Sequence, residues 1–131
     1  MQTSTEKIDY VTPVQGLNLD VVKVRGYHCV VTSGKYRGGE HVVLIRPETL
    51  LEGRYHSFLQ GSKIRLKYRT SSNGKYGYVI KQCTIHGLRS EALVINIPNR
   101  VKNYTIGMCL DKVLHAFFYQ RRNKKQPKGG V

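Results

Sequence analysis

From Lys63 to Arg69 the chain alternates strictly, Lys63-Ile64-Arg65-Leu66-Lys67-Tyr68-Arg69, four cations interleaved with three apolar side chains. Successive side chains of a β-strand leave opposite faces, so this segment reads as a half-buried strand with one apolar and one wholly cationic face. Shortly afterwards Asn73-Gly74 is the favoured dipeptide of a type I′ turn, both of whose central residues need φ > 0, and it predicts a hairpin. With those two residues as the turn, Tyr78 lies opposite Arg69, Ile80 opposite Lys67 and Gln82 opposite Arg65. Ile64, Leu66, Tyr68, Val79, Cys83 and Ile85 then share the core face. Lys63, Arg65, Lys67, Arg69, Tyr78, Ile80, Gln82 and Thr84 share the outer one, and a turn of another length would flip one strand. Lys81 falls on the apolar side and calls for a bulge or a side chain reaching solvent at the sheet edge.

Four like charges on one face repel each other, and a polyanion lying across them relieves the repulsion. The plain alternative is a solvated face, but ordinary surfaces mix signs. The rest of the chain points the same way. Its 131 residues, the size of one domain, hold 22 Lys and Arg against 8 Asp and Glu, a net +14 and a pI of about 10.0. Five cations lie after residue 120, which leaves 17 against 8, or +9, for the body. A basic body of this kind is the electrostatic footprint of nucleic-acid binding. A membrane surface is not expected as a partner: there is no lipidation motif, no apolar run of spanning length and no apolar leader after Met1. Cys29, Cys83 and Cys109 are odd in number and far apart, which argues against a disulfide framework and for an intracellular, reducing location, cytoplasmic or nuclear. Cys29 and Cys83 sit in apolar runs and read as buried, inert thiols.

The organisation reads as mainly β. After a flexible stretch over residues 1–7, extended runs are predicted at Ile8–Val14, Leu19–Val24, Tyr27–Val31 and His41–Ile45, with Gly26 inside a hairpin or bend and Gly34, Gly38 and Gly39 in a loop. Pro47 ends the fourth run, and Glu48–Leu51 is predicted as one helical turn. A further strand spans Ala92–Ile97. Leu110, Val113, Leu114 and Phe117 recur at helical spacing, so Leu110–Phe118 is predicted as a short amphipathic helix packed inward. From Arg121 onward a basic, disordered tail is expected.

No catalytic constellation stands out. The five histidines lack metal-ligand spacing, and neither a Cys-x-x-Cys nor a His-Glu-x-x-His occurs. Gly34-Lys35-Tyr36-Arg37-Gly38-Gly39 is glycine-rich and basic but lacks the ending of a phosphate-binding P-loop, so it reads as a connecting loop able to touch phosphates. The carboxylates form no pair for acid–base work, and no nucleophile elbow is present. Binding is better supported. There are nine tyrosines, many beside cations: Lys35-Tyr36-Arg37, Arg54-Tyr55-His56, Lys67-Tyr68-Arg69 and Lys75-Tyr76-Gly77-Tyr78. Aromatic rings offer stacking surfaces to unpaired bases while neighbouring cations hold the backbone. For each tyrosine alone, packing on a sheet explains it equally well. Tyr68 is expected inside; Tyr36, Tyr76 and Tyr78 are the better stacking candidates.

A family pattern runs through these residues. Val21-Val-Lys-Val-Arg-Gly-Tyr-His-Cys-Val-Val31, then Gly38-Gly-Glu-His-Val-Val-Leu-Ile45 and Pro47-Glu-Thr-Leu-Leu51, resembles the N-terminal OB-fold module of the Naegleria/Deinococcus-type RNA ligases. Ile80–Ile97 and Asn103–Leu114 are similar to that module's later segments, in the same order, so the resemblance covers roughly residues 8 to 119. The family's Lys-x-Asp-Gly motif, whose lysine becomes adenylylated, has no counterpart: Lys23-Val-Arg-Gly26 carries Arg where the Asp belongs. Tyr27 replaces the family's Trp, and Glu91 its Gln. The resemblance thus implies an OB module that engages RNA or a nicked duplex without ligase chemistry of its own.

The expectations are therefore a single OB-like, partly open β-barrel over residues 8–120 with a short C-terminal helix and a disordered basic tail. Its expected function is non-catalytic, mostly non-sequence-specific binding of RNA or single-stranded DNA, without a cofactor or metal. Lys63, Arg65, Lys67 and Arg69 would hold phosphates, Tyr76 and Tyr78 would stack on bases, and Lys35, Tyr36 and Arg37 would add loop contacts. The alternative is a protein-interaction or accessory subunit, such as the detached module of a two-chain ligase or a viral or phage factor acting on a host complex.

Overall fold

The computed structural model describes residues 1–52 and 66–121. The first four strands follow the apolar alternation: β1 (Thr3–Val14), β2 (Leu19–Val24), β3 (Tyr27–Thr32) and β4 (His41–Ile45). β1 begins well before residue 8, and Thr3, Ser4, Thr5 and Glu6 are buried, so the expected flexible N-terminus is part of the domain. Two partners account for this. Residues 3–7 of β1 pair with β4 and residues 8–14 with β2, across an irregularity at Asp9. Both pairings are antiparallel, and β2 and β3 join through Arg25-Gly26, φ 47° and 84°, a two-residue turn of the I′ kind. β10 (Leu93–Ile95) adds to the free side of β4, giving the order β10-β4-β1-β2-β3.

The sheet then curls toward closure. The Val30 N–H donates to Ser90 Oγ (3.0 Å), Glu91 N–H to His28 O (2.8 Å), and His28 N–H to Glu91 Oε1 (2.8 Å). Edge β3 is thereby laced to the end of a small hairpin, β8 (Cys83–Ile85) and β9 (Leu88–Ser90), whose His86-Gly87 turn is again of the I′ kind, φ 49° and 81°. The result is mainly β, a nearly closed barrel-like sheet with one short helix, consistent with a partly open OB-like barrel. Ile8, Val22, Val24, Cys29, Val31, Tyr36, Val42, Leu44, Ala92 and Val94 fill it.

A second sheet packs on the outside of the β4–β10 wall: β5 (Thr49–Glu52), β6 (Leu66–Thr70), β7 (Tyr76–Ile80) and β11 (Ala116–Phe118), in the order β11-β5-β7-β6. Between wall and sheet lies a second cluster holding Val43, Ile45, Leu51, Ile80, Leu93, Ile95, Leu110, Leu114 and Ala116. β4 thus sends Val42 and Leu44 into one cluster and Val43 and Ile45 into the other, which is why its sequence is an unbroken apolar run.

Three expectations give way in this second sheet. Glu48–Leu51 is not a helical turn: Thr49–Glu52 is a strand flanked by β7 and β11, and a short apolar run buried on both faces has no period that separates helix from strand. The C-terminal helix is a single turn, α1 (Asp111–Leu114). His115 takes a left-handed conformation (φ 52°) and the chain leaves as β11, where Phe117 pairs with Leu50 instead of continuing the helical stripe. The hairpin after residue 80 ends early, and Lys81 turns to solvent and pairs with Glu48 (2.9 Å), which answers the misplaced lysine. The expected tail lies outside the described residues beyond Arg121, as does the segment 53–65.

Candidate nucleic-acid interface

The β6–β7 hairpin forms, but with a register one residue from that expected. Ser71 O accepts from Gly74 N–H (3.0 Å), Lys75 O from Ser71 N–H (2.7 Å), and Asn73 Oδ1 from Lys75 N–H (3.1 Å). Gly74 has φ 87° while Asn73 is not in the positive-φ region. This is a type I turn closed by a left-handed glycine, a three-residue loop and not the two-residue I′ turn. Leu66 therefore pairs with Ile80, Lys67 with Val79, Tyr68 with Tyr78, Arg69 with Gly77 and Thr70 with Tyr76.

The consequence of that slip is a changed face. Tyr78 does not join Lys67 and Arg69; it shares a face with Tyr68 and Tyr76. Tyr68 is not inside but 49% exposed, and Tyr76 is 58% exposed. The Tyr68 and Tyr78 rings meet edge to face at 5.1 Å between centroids, and Tyr68 and Tyr76 lie 6.2 Å apart, tilted by 49°. The face is apolar at its base, where Leu66, Tyr78 and Ile80 pack on the second cluster, and runs past the edge of that cluster at Tyr68 and Tyr76. Ile80, expected outside, is accordingly buried, as is Val79.

Lys67 and Arg69 are exposed on the opposite face of β6, and Lys75 sits in the turn with its Nζ 4.7 Å from the Phe117 ring. Among the described residues no carboxylate pairs with Lys67, Arg69 or Lys75. The sequence carries the reason: between residues 53 and 90 there are eight Lys and Arg and no Asp or Glu. That acid-free window was the available signal for the hairpin's charge. Lys63 and Arg65 lie outside the described residues.

The glycine-rich loop behaves differently. Tyr36 is not a surface ring: it is 7% exposed, packs in the barrel and donates its hydroxyl to Asn96 Oδ1 (2.8 Å). Burial, reinforced by nearby Glu40, pushes its hydroxyl up to about 12. Lys35 and Arg37 flank it in solvent, Lys35 Nζ lying 5.5 Å from the Tyr36 ring. This loop caps the barrel, whereas the hairpin belongs to the second sheet, so the sequence-predicted residues form two separate patches. Cys29 is buried as expected; burial, with a smaller contribution from Glu91, raises its thiol to about 12 despite a bond from the Ala92 backbone, so it stays protonated and inert. Cys83 is half-buried and Cys109 exposed. Among the described residues no group of three or more His, Cys, Asp or Glu could hold a metal ion, and no helix is long and apolar enough to cross a membrane.

Acids elsewhere are committed to the fold. Glu6, buried, accepts from Ser4 Oγ (2.6 Å) and lies 3.7 Å from Arg46. Asp111 accepts from the backbone N–H of Gln2 and Thr3 and from the Thr3 hydroxyl, pinning the start of β1. Burial alone would raise its carboxyl, but these bonds, with one from Cys109, outweigh it and hold the pKa below the ordinary carboxylate value.

No protein-family model matches the chain, and no curated protein matches it. Among solved structures it is similar to the RNA ligase of Naegleria gruberi. A mutant of that enzyme with ATP and Mn superposes with a TM-score of 0.77 at 14% identity, covering 98% of this chain and 38% of that one. The same ligase with PPi gives 0.74 at 15% identity, with the same two coverages. An apo mutant gives 0.73 at 15%, covering 92% and 35%. At such identities the likeness establishes an RNA ligase-related fold, and the chain spans 35–38% of the ligase's length.

Proposed function

We propose that this chain is a non-catalytic nucleic-acid-binding module that takes RNA or single-stranded DNA mostly without regard to sequence. The observation that carries the reading is the charge of the β6–β7 hairpin, Lys67, Arg69 and Lys75, paired with no carboxylate among the described residues, on a chain of net charge +14. Folds of this kind present a sheet face and its loops to oligonucleotides, and cations without acid partners gain most from phosphate. The RNA ligase-related fold favours the same class of ligand.

Binding of a labelled oligonucleotide across a salt series tests it. The affinity falls log-linearly with salt, with a slope of about 0.7 per phosphate neutralised on a single strand. Lys67→Glu/Arg69→Glu weakens binding and flattens that slope by at least two contacts' worth. Unchanged binding by the double variant removes the hairpin from the interface, and salt-independent binding removes the reading altogether.

A further inference from the structure

The cations and the tyrosines of β6–β7 lie on opposite faces of the hairpin. Tyr68 stands between Lys67 and Arg69 in sequence, so its ring leaves one side of β6 and their charges leave the other. Among the described residues β6 is also the outermost strand of its sheet, which leaves its outer backbone groups open along a free edge. Tyr68 on that edge strand and Tyr76 beside it on β7 are solvent-facing and near one another, while the half-buried Tyr78 meets the Tyr68 ring from the cluster side.

We propose that a single strand of nucleic acid straddles this edge, its unpaired bases stacked on Tyr68 and Tyr76 and its phosphates turned toward Lys67 and Arg69. The inference rests on the nucleic-acid-binding reading above and sharpens it to a substrate class. A duplex does not satisfy such a site, because its bases already stack on one another behind two outward phosphate rows, so one side of the edge would meet phosphate and the aromatic side would find no free base face. A single strand can send base and phosphate to different sides. Stacking is onto the rings and not between them. A base inserted between two rings needs them about 7 Å apart and parallel, twice the ~3.4 Å spacing of stacked bases, whereas Tyr68 and Tyr76 are closer than that and tilted. Each ring thus offers its outward face, and base identity matters little because every base has a π-face.

The test compares three ligands with the full chain: a short oligouridylate, an abasic oligomer with the same backbone, and a duplex of the same length. Tyr68→Ala and Tyr76→Ala each weaken oligouridylate binding about tenfold or more, by the usual worth of one stacked base, while Tyr76→Phe, which keeps the ring, binds like the parent. Neither alanine variant alters binding of the abasic oligomer or the duplex, whereas Lys67→Glu/Arg69→Glu weakens all three. The chain has no tryptophan, so quenching of tyrosine emission by oligouridylate, absent with the abasic oligomer, reports stacking in the unmodified protein as well. If the abasic oligomer binds as tightly as oligouridylate, or the alanine variants bind oligouridylate unchanged, the straddled edge is overturned while charge-driven binding stands. If none of the three ligands binds, both readings fall.

Discussion

The two hairpins β2–β3 and β6–β7 are built alike and end differently. Each turns on a left-handed glycine, and each carries cations on a strand that alternates with apolar or aromatic residues. In β2–β3 the turn cation is answered and the polar groups are tied in: Arg25 lies 4.0 Å from Glu6, the His28 ring lies 3.5 Å from Glu91, and Asp20 accepts the Gly34 N–H (2.9 Å), while Lys23 lies 5.8 Å from the Tyr10 ring. Its inward residues Val22, Val24, Cys29 and Val31 are covered from end to end by the barrel. In β6–β7 the base is buried at Val79 and Ile80 and the turn is tied to Gln120 through Ser71 and Ser72, but Lys67 and Arg69 have no acid answering them among the described residues. The difference teaches that alternation alone sets a two-faced ribbon. Whether the ribbon serves the fold or a ligand depends on what the rest of the chain brings to the second face.

The contrast can be broken or sharpened by substitution, starting with the largest effect. Ile8→Ala, at a fully buried position paired with Val24, removes packing behind β2–β3 and costs about 2–5 kcal/mol in denaturant melts. Next, Gly77→Ala costs about 1–3 kcal/mol, because a Cβ there meets Leu51 O at 2.0 Å and must push β5 from β7; if it is neutral, the base of the second hairpin is looser than its burial implies. Third, Asp111→Asn costs about 1 kcal/mol at neutral pH by weakening the bonds that hold β1 behind the first hairpin. Since the folded carboxyl titrates below its ordinary value, its contribution is complete above the ordinary range of about 4 and is lost as pH falls through the folded pKa. Thermal midpoints of parent and variant should converge on acidification, and a gap that stays constant would show that the carboxylate charge is not what pins β1. Smallest, Tyr76→Ala shifts stability by no more than about 0.5 kcal/mol; a larger loss would make the tip part of the core and cancel the contrast with β2–β3.

The first four strands and the β-barrel class were legible because their alternation, glycines and prolines are local signals. Register was not. Asn73-Gly74 reads as a I′ turn, whereas the I′ turns fall at Arg25-Gly26 and His86-Gly87, and one extra loop residue carried Tyr78 to the other face and Tyr68 into solvent. β5 and β11 escaped because each exists through its neighbours: Leu50 and Leu51 are extended by pairing with strands about thirty and sixty-five positions away, which no local period encodes. Tyr36 was misplaced for a related reason. Its cationic neighbours do lie in solvent, but its hydroxyl finds Asn96, on the far side of the sequence. Lys67, Arg69, Tyr76 and Tyr78 were readable as residue types in a hairpin; their division between two faces was not.

β4, with one row of side chains in each apolar cluster, has a consequence for how the molecule comes apart. A strand shared by both interiors cannot let go of one while keeping the other, so the barrel and the outer sheet should melt as a single cooperative unit despite having separate fillings. Amide protons of Val42 to Ile45 should then exchange with deuterium only at the free energy of global unfolding.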